Sequence, residues 1–206
     1  GLARLITEIV KSNKKYQIAG YIDDNKIKNN YNIKSVSSKY FFSNIKKANI
    51  IIAIGENYER KKIFQKFKVK NYNFPNVISK FANISKNTKI GYGNIILSSC
   101  AINNAAKIEN FCILNSQSLL EHDCSMNSFS QISPSAIICG GCKIGEGSFV
   151  GANSTIIQNI TIGDWSVIGA SSLVLKNITK KTLNFGSPCK KIKEINNRYR
   201  VFKSNV

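Results

Sequence analysis

Ile132-Ser-Pro-Ser-Ala-Ile-Ile138-Cys-Gly-Gly-Cys-Lys-Ile144-Gly-Glu-Gly-Ser-Phe-Val150-Gly-Ala-Asn-Ser-Thr-Ile156 sets the period of this chain. A large aliphatic residue returns every six positions. The series runs back through Met126, Leu120, Leu114, Ile108, Ile102, Ile96 and Ile90 to Ile84, and forward through Ile162 and Ile168 to Val174. Ile, Leu, Val and Met make up 51 of the 206 residues, so sixteen hits in a row are not chance. A six-residue step fits neither the roughly 3.6-residue period of a helix nor a long strand of period two. Four residues after each anchor the chain is mostly small, as at Cys100, Ala106, Cys112, Ser118, Cys124, Ser130, Ala136, Cys142, Ser148 and Ser154. The small residue and the next anchor are two apart, so both point inward from one short strand. The three residues between anchor and small slot turn a corner. Three such sides close a triangular coil, which predicts a parallel β-helix of hexapeptide repeats over residues 76–182, without a long interrupting loop.

The residue before each anchor faces outward. Stacked coil on coil, one face presents Ile95, Ile113, Gln131, Phe149 and Val167. A second presents Ala101, Leu119, Ile137, Thr155 and Leu173. The third presents Lys89, Lys107, Ser125, Lys143 and Thr161. Two faces are largely apolar, and a monomer does not expose such faces to water. Their burial against identical neighbours predicts a closed homotrimer.

Residues 1–75 have a different texture. A helical start at Leu2–Val10 precedes a strand, Gln17–Ile22, that ends in Asp23-Asp24. A second strand, Asn49–Ile54, ends in Gly55-Glu-Asn57, and a helix follows over Glu59–Phe67. Strands alternating with helices predict a small Rossmann-like α/β domain whose strand ends bind ligand. The domain is expected to lack its first strand and glycine turn, which would normally precede the opening helix. Residues 183–206 are expected as a C-terminal tail.

Composition narrows the function classes. The net charge is +19, from 30 basic and 11 acidic residues. That balance suits small phosphorylated ligands, or reflects a composition rich in Lys throughout. No DNA- or RNA-binding motif is present, so nucleic acid is not an expected partner. The longest aliphatic run, around Ile50–Ile54, is too short for membrane insertion, and no signal-peptide core is visible, so the expected location is cytoplasmic. Cys100, Cys112, Cys124 and Cys142 fill inward slots and are expected to be buried and reduced. With one histidine, no metal site is expected, and one histidine per chain argues strongly against a three-histidine carbonic anhydrase on the same helix.

Several elements together carry a resemblance: Gly20-Tyr-Ile-Asp-Asp24, Ile52-Ala-Ile-Gly-Glu-Asn57 with Arg60, Ile113-Leu-Asn115, Leu120-Glu-His-Asp-Cys124 and Gly186-Ser-Pro188. The chain resembles the NeuD/PglD-like bacterial sugar acetyltransferases of the sialic-acid and bacillosamine pathways. The resemblance implies a left-handed β-helix, acetyl-CoA as donor, and a nucleotide-linked amino sugar or a sialic acid as acceptor. It implies substrate contacts at Gly1, Asp23, Asp24, Gly55, Asn57 and Arg60. Gln131 stands where family members often carry a second histidine.

The catalytic expectations centre on one corner. His122 lies between the Leu119 face and the Ser125 face. Acetyl transfer requires the acceptor to lose a proton as it attacks the thioester, and a histidine suits that step. Asp123 or Glu121 is near enough to orient the ring, and the family pattern favours Asp123. One coil later, 122 + 18 gives Gly140, whose N–H is expected to stabilise the oxyanion. On a different corner, Ala152 and Ala170 would let a pantetheine arm lie along the backbone. Asn115 lies on that corner too and is expected to come from a neighbouring subunit. Gly140, Lys176 and Pro188 complete the expected acetyl-CoA contacts. The function expected is N-acetylation of a nucleotide-diphosphate-linked 4-amino sugar in surface-glycan synthesis. The alternatives are O-acetylation of sialic acid and a non-catalytic trimeric scaffold.

Overall fold

The computed structural model describes residues 1–13, 16–24, 33–68 and 72–202. The N-terminal part contains α1 (Leu2–Ser12), β1 (Tyr21–Ile22), β2 (Ser35–Val36), α2 (Ser38–Asn44) and α3 (Asn57–Phe67). Strands β1 and β2 pair in parallel. The expected strand at Asn49–Ile54 runs without a ladder among the described residues; it is tied only by a bridge from Asn49 to Asn73.

From Val77 the six-residue rhythm takes over. Strands β3 (Val77–Ile78) to β19 (Leu173–Val174) are each two residues long and recur every six residues. They start one hexad before the first aliphatic anchor read from the sequence. Each strand pairs in parallel with the strand eighteen residues away, as Leu119 with Ile137 and Gln131 with Phe149. The result is three stacked sheets around one core. The anchors from Ile96 to Val174 and the small slots between them are buried in a single cluster, with Cys100, Cys112, Cys124 and Cys142 inside as free thiols. Each corner from Gly93 to Ser171 is closed by a residue of positive φ just before the small slot, as at Ala105, Asp123, Gly141 and Asn159. This conformation costs an L-residue about 1–2 kcal/mol, and the stacked coils hold it.

The outer faces differ from expectation in one respect. The Ile95 face is not left for a neighbouring subunit, because the chain covers it. Ile6 and Val10 of α1 pack on Val77, Ile95, Leu97 and Ile113. Burial of such aliphatic side chains contributes about 1.5–3 kcal/mol each. Phe202, near the C-terminus, stands edge-on to Phe149 at 5.5 Å. Of the two apolar faces, the Leu119 face stays open among the described residues, with Ile137 at 39% exposure.

The segment expected as a tail is built onto the prism. Strand β20 (Thr182–Phe185) extends the Ile95-side sheet beside Val167–Ile168, and β21 (Lys190–Glu194) pairs back on it antiparallel. The boundary expected at residue 182 therefore falls inside that sheet. Residues beyond β21 return to α3, where the Glu56 carboxylate accepts the N–H groups of Val201 and Phe202 at 3.3 and 2.6 Å.

Candidate active site

The prism has three edges, and the sequence made them chemically unequal. Along one edge stack Asn104, His122, Gly140, Gln158 and Lys176. Backbone bonds lock this edge. The Gly141 N–H donates to the His122 carbonyl at 2.9 Å, and the Asn159 N–H donates to that of Gly140 at 2.9 Å. The tip residue's own N–H is not used in this ladder. Among the described residues, the Gly140 N–H donates to no backbone carbonyl.

His122 projects from the edge with its side chain 63% exposed. Its Nδ1 lies 2.8 Å from Asp123 Oδ2. The carboxylate accepts the Nδ1 proton, which leaves the Nε2 lone pair free. That hydrogen bond also holds the His122 pKa above the ordinary histidine value. Glu121 sits on the other side and accepts the His122 backbone N–H at 3.2 Å. Its own pKa is lowered, first by a hydrogen bond with Asn103 and also by the one with His122. The Nε2 side of the ring faces Gly140. A Cβ there would lie 2.6 Å from the His122 Cε1 and 2.7 Å from Nε2, so the ring position requires glycine. A histidine, a carboxylate bound to its Nδ1 and a backbone N–H with no backbone acceptor thus meet at one edge, an arrangement that could serve acyl transfer.

Lys176 stands on the same edge, exposed. It lies three coils beyond His122 (122 + 54), or roughly 14 Å at the usual strand spacing. Asn115, Ala152 and Ala170 line a second edge, which the Leu119 face separates from His122 within one chain. Asn115 is half-buried, and its carbonyl accepts the Cys100 thiol at 2.9 Å. Pro188 follows the turn that caps this end, where the Leu173 N–H donates to the Gly186 carbonyl at 3.0 Å.

The expected substrate residues divide. Gly1 caps α1 at its exposed start. The Asp23 N–H donates to the Val36 carbonyl at 3.0 Å. The Asp24 carboxylate accepts the Ser38 N–H and hydroxyl, both at 2.8 Å, and the backbone bond chiefly holds its pKa low. These three stay at the surface end of the α/β unit. Gly55 is covered by the Phe202 ring.

Arg60 and Asn57 are a correction. Arg60 is fully buried. Its Nε donates to the Phe111 carbonyl, Nη1 to the carbonyls of Ile54 and Gly55, and Nη2 to the Phe129 carbonyl and the Asn57 side chain, all at 2.8–3.0 Å. Every guanidinium N–H is committed, so none remains for a ligand. Burial lowers its pKa to about 10. Asn57 Nδ2 donates to the carbonyls of Gly147 and Ser148 at 3.1 Å. These residues clamp α3 to the third edge, where Phe111 and Phe129 stack with rings 5.3 Å apart. Their joint appearance as Asn57-x-x-Arg60 looked like a ligand motif. The signal that it was structural is the aromatic column Phe111-Phe129 at eighteen-residue spacing. Gln131 is 3% exposed on the Ile95 face.

Among the described residues no group of three His, Cys, Asp or Glu side chains is placed to hold a metal, and no helix is long and apolar enough to cross a membrane.

Residues 1–67 match the PglD N-terminal domain family, and residues 123–158 and 141–176 match the bacterial transferase hexapeptide repeats. No curated protein gives a match. Among solved structures, PerB from Caulobacter crescentus, in complex with CoA and GDP-perosamine, superposes with a TM-score of 0.86 at 23% identity, over 94% of this chain and 93% of that one. The acetyltransferase domain of PglB from Neisseria gonorrhoeae, in complex with acetyl coenzyme A, gives 0.88 at 22% identity, over 93% and 95%. WeeI from Acinetobacter baumannii gives 0.82 at 22% identity over the same shares. At this identity the likeness establishes the fold.

Proposed function

We propose that this chain, which joins a PglD N-terminal domain to hexapeptide-transferase repeats and so belongs with the NeuD/PglD-like proteins, acetylates the amino group of a nucleotide-diphosphate-linked 4-amino sugar. Acetyl-CoA is the donor, and the enzyme is an acetyltransferase. The observation that carries this proposal is the His122 edge. With Nδ1–H engaged by Asp123, Nε2 accepts the proton of the attacking amine. The Gly140 N–H stabilises the oxyanion that develops on the thioester carbonyl. The amine nitrogen bonds to the acetyl carbon, the C–S bond breaks, and the thiolate leaves with the proton passed on by His122.

The acceptor class draws its support from the α/β unit in front of the helix and from the GDP-perosamine held beside CoA in the Caulobacter neighbour. Gly1, Asp23 and Asp24 are the residues proposed to meet the sugar nucleotide. The coil is proposed to be left-handed and the assembly a homotrimer. The open Leu119 face supports this, because a neighbour seated there brings its Asn115, Ala152 and Ala170 edge toward His122. Lys176 and Pro188 would then meet the distal part of CoA. A monomer by light scattering at working concentration would refute the shared site.

Thiol release from acetyl-CoA tests the whole. The panel holds UDP-, dTDP- and GDP-linked 4-amino sugars and free sialic acid. One nucleotide amino sugar is expected to turn over, with a loss of roughly 10²–10⁴-fold in His122→Ala. Turnover of sialic acid alone would replace N- with O-acetylation. Acetyl-CoA binding with full activity in the variant would remove His122 from the chemistry.

A further inference from the structure

The inward slots do more than fill the prism. The Cys100 thiol donates to the carbonyl of Asn115, that of Cys142 to Ile157, the Ser148 hydroxyl to Gly163 and the Ser154 hydroxyl to Gly169, at 2.7–3.0 Å. In each case the acceptor lies fifteen residues on. It is the carbonyl that opens the corner of the next coil. A slot whose donor takes this route pins a corner peptide of the next coil from inside; Ser130 and Ser172 turn back to the carbonyl three residues before, and an alanine slot, such as Ala106 or Ala136, makes no such bond.

Applied to the site, this rule picks out one residue. The Cys124 thiol donates to the Cys139 carbonyl at 3.1 Å. That carbonyl belongs to the same peptide unit as the Gly140 N–H. The peptide is trans, since the cis bond among the described residues is Ser187–Pro188. In a trans peptide, C=O and N–H point in opposite directions. Fixing the oxygen inward aims the N–H outward, on the side where the His122 ring lies. The corner needs such fixing, because Gly140-Gly141 lacks the side chains that would otherwise restrict rotation of the peptide. Cys142 stacks directly beyond Cys124, but sulfur is a weak acceptor and a carbonyl oxygen a strong one. A hydrogen bond to the carbonyl also polarises the amide and strengthens its N–H as a donor.

We infer that Cys124 is a positioning residue that holds the Cys139–Gly140 peptide with its N–H aimed at the reacting thioester carbonyl. The inference rests on the function proposed above. It gives a chemical role to a buried thiol that otherwise serves only packing.

The chain supplies its own controls. Cys142 has the same burial and makes the same bond, but to the Ile157 carbonyl, away from His122. Ser148 and Ser154 occupy equivalent slots and make the same bond, so Cys124→Ser keeps the donor. Cys124→Ala removes it, and Cys124→Val removes it while filling the space. The full chain is loaded with acetyl-CoA labelled with ¹³C at the thioester carbonyl, and the infrared band is compared with that of free acetyl-CoA. Wild type is expected to lower the band frequency. Cys124→Ala and Cys124→Val are expected to lose about half of that shift and about tenfold in kcat, with KM for acetyl-CoA within about twofold. Cys124→Ser and Cys142→Ala are expected to stay near wild type in both. A wild-type band that does not move would overturn Gly140 as donor, and the proposed mechanism with it. A moved band, with equal losses in Cys124→Ala and Cys142→Ala or none in either, would overturn the role of Cys124 alone.

Discussion

Two edges of one prism meet Arg60 and His122, and they use them in opposite ways. At the Phe111-Phe129 edge, Arg60 is fully buried and spends every N–H on protein acceptors. At the Gly140 edge, His122 is exposed and holds one side-chain partner, Asp123. The backbone is nearly the same at both edges, because both arise from the same six-residue repeat with a positive φ at Phe111, Asp123 and Phe129 alike. The difference lies in the corner side chains. Phe111 and Phe129, at the positive-φ position, make a broad apolar ridge on which α3 docks, with Phe64 against Phe111 at 4.4 Å. On the other edge that position holds Asp123 and Gly141, and glycine at the preceding residue, 140, leaves a notch beside the His122 ring. A repeat thus supplies equivalent positions, and the side chains on them decide between docking and chemistry.

Filling the notch should give the largest effect. Gly140→Ala keeps its N–H but forces the His122 ring aside, and is expected to lower kcat by roughly 10²–10³-fold, the scale of misplacing a general base. Its thermal midpoint should change little. Unchanged kcat would show that ring and peptide do not act together.

Emptying the clamp tests the other edge. Arg60→Ala leaves the carbonyls of Phe111, Phe129, Ile54 and Gly55 without their donor inside the interface. It is expected to cost about 3–5 kcal/mol in denaturant unfolding, as for removal of a buried charged hydrogen-bonding group. A loss below about 1 kcal/mol, with sugar-nucleotide affinity abolished, would return Arg60 to the ligand.

The smallest expected effect concerns pH. Asp123 raises the His122 pKa, and the base works only when neutral, so activity should fall as pH drops through a value above that of an ordinary histidine. Asp123→Asn removes the stabilising charge, lowers that pKa and moves the acid limb of kcat/KM to lower pH. An acid limb that stays in place would assign it to another group.

Legibility followed the same division. The hexads fixed the three faces, the inward thiols and the stacking of Gly140 beside His122, because each depends only on a count of six or eighteen. Asp123 could be named as the ring's partner because it is the next residue. Arg60 and Asn57 were misread for the opposite reason. Their acceptors on the β-helix lie 51 to 91 residues away, and no local pattern reports that distance. The Ile95 face was misassigned likewise, since an apolar strip looks the same whether α1 or another subunit covers it.

By itself, then, the sequence determined the β-helix, its register and the histidine edge, because a strict period leaves one way to stack residues. Only the tertiary structure decided which apolar face the chain covers itself, which polar residues it buries as a clamp, and which peptide the Cys124 thiol holds. Those outcomes depend on contacts between segments far apart in the chain, whose partners are chosen by shape and hydrogen-bond satisfaction rather than by spacing.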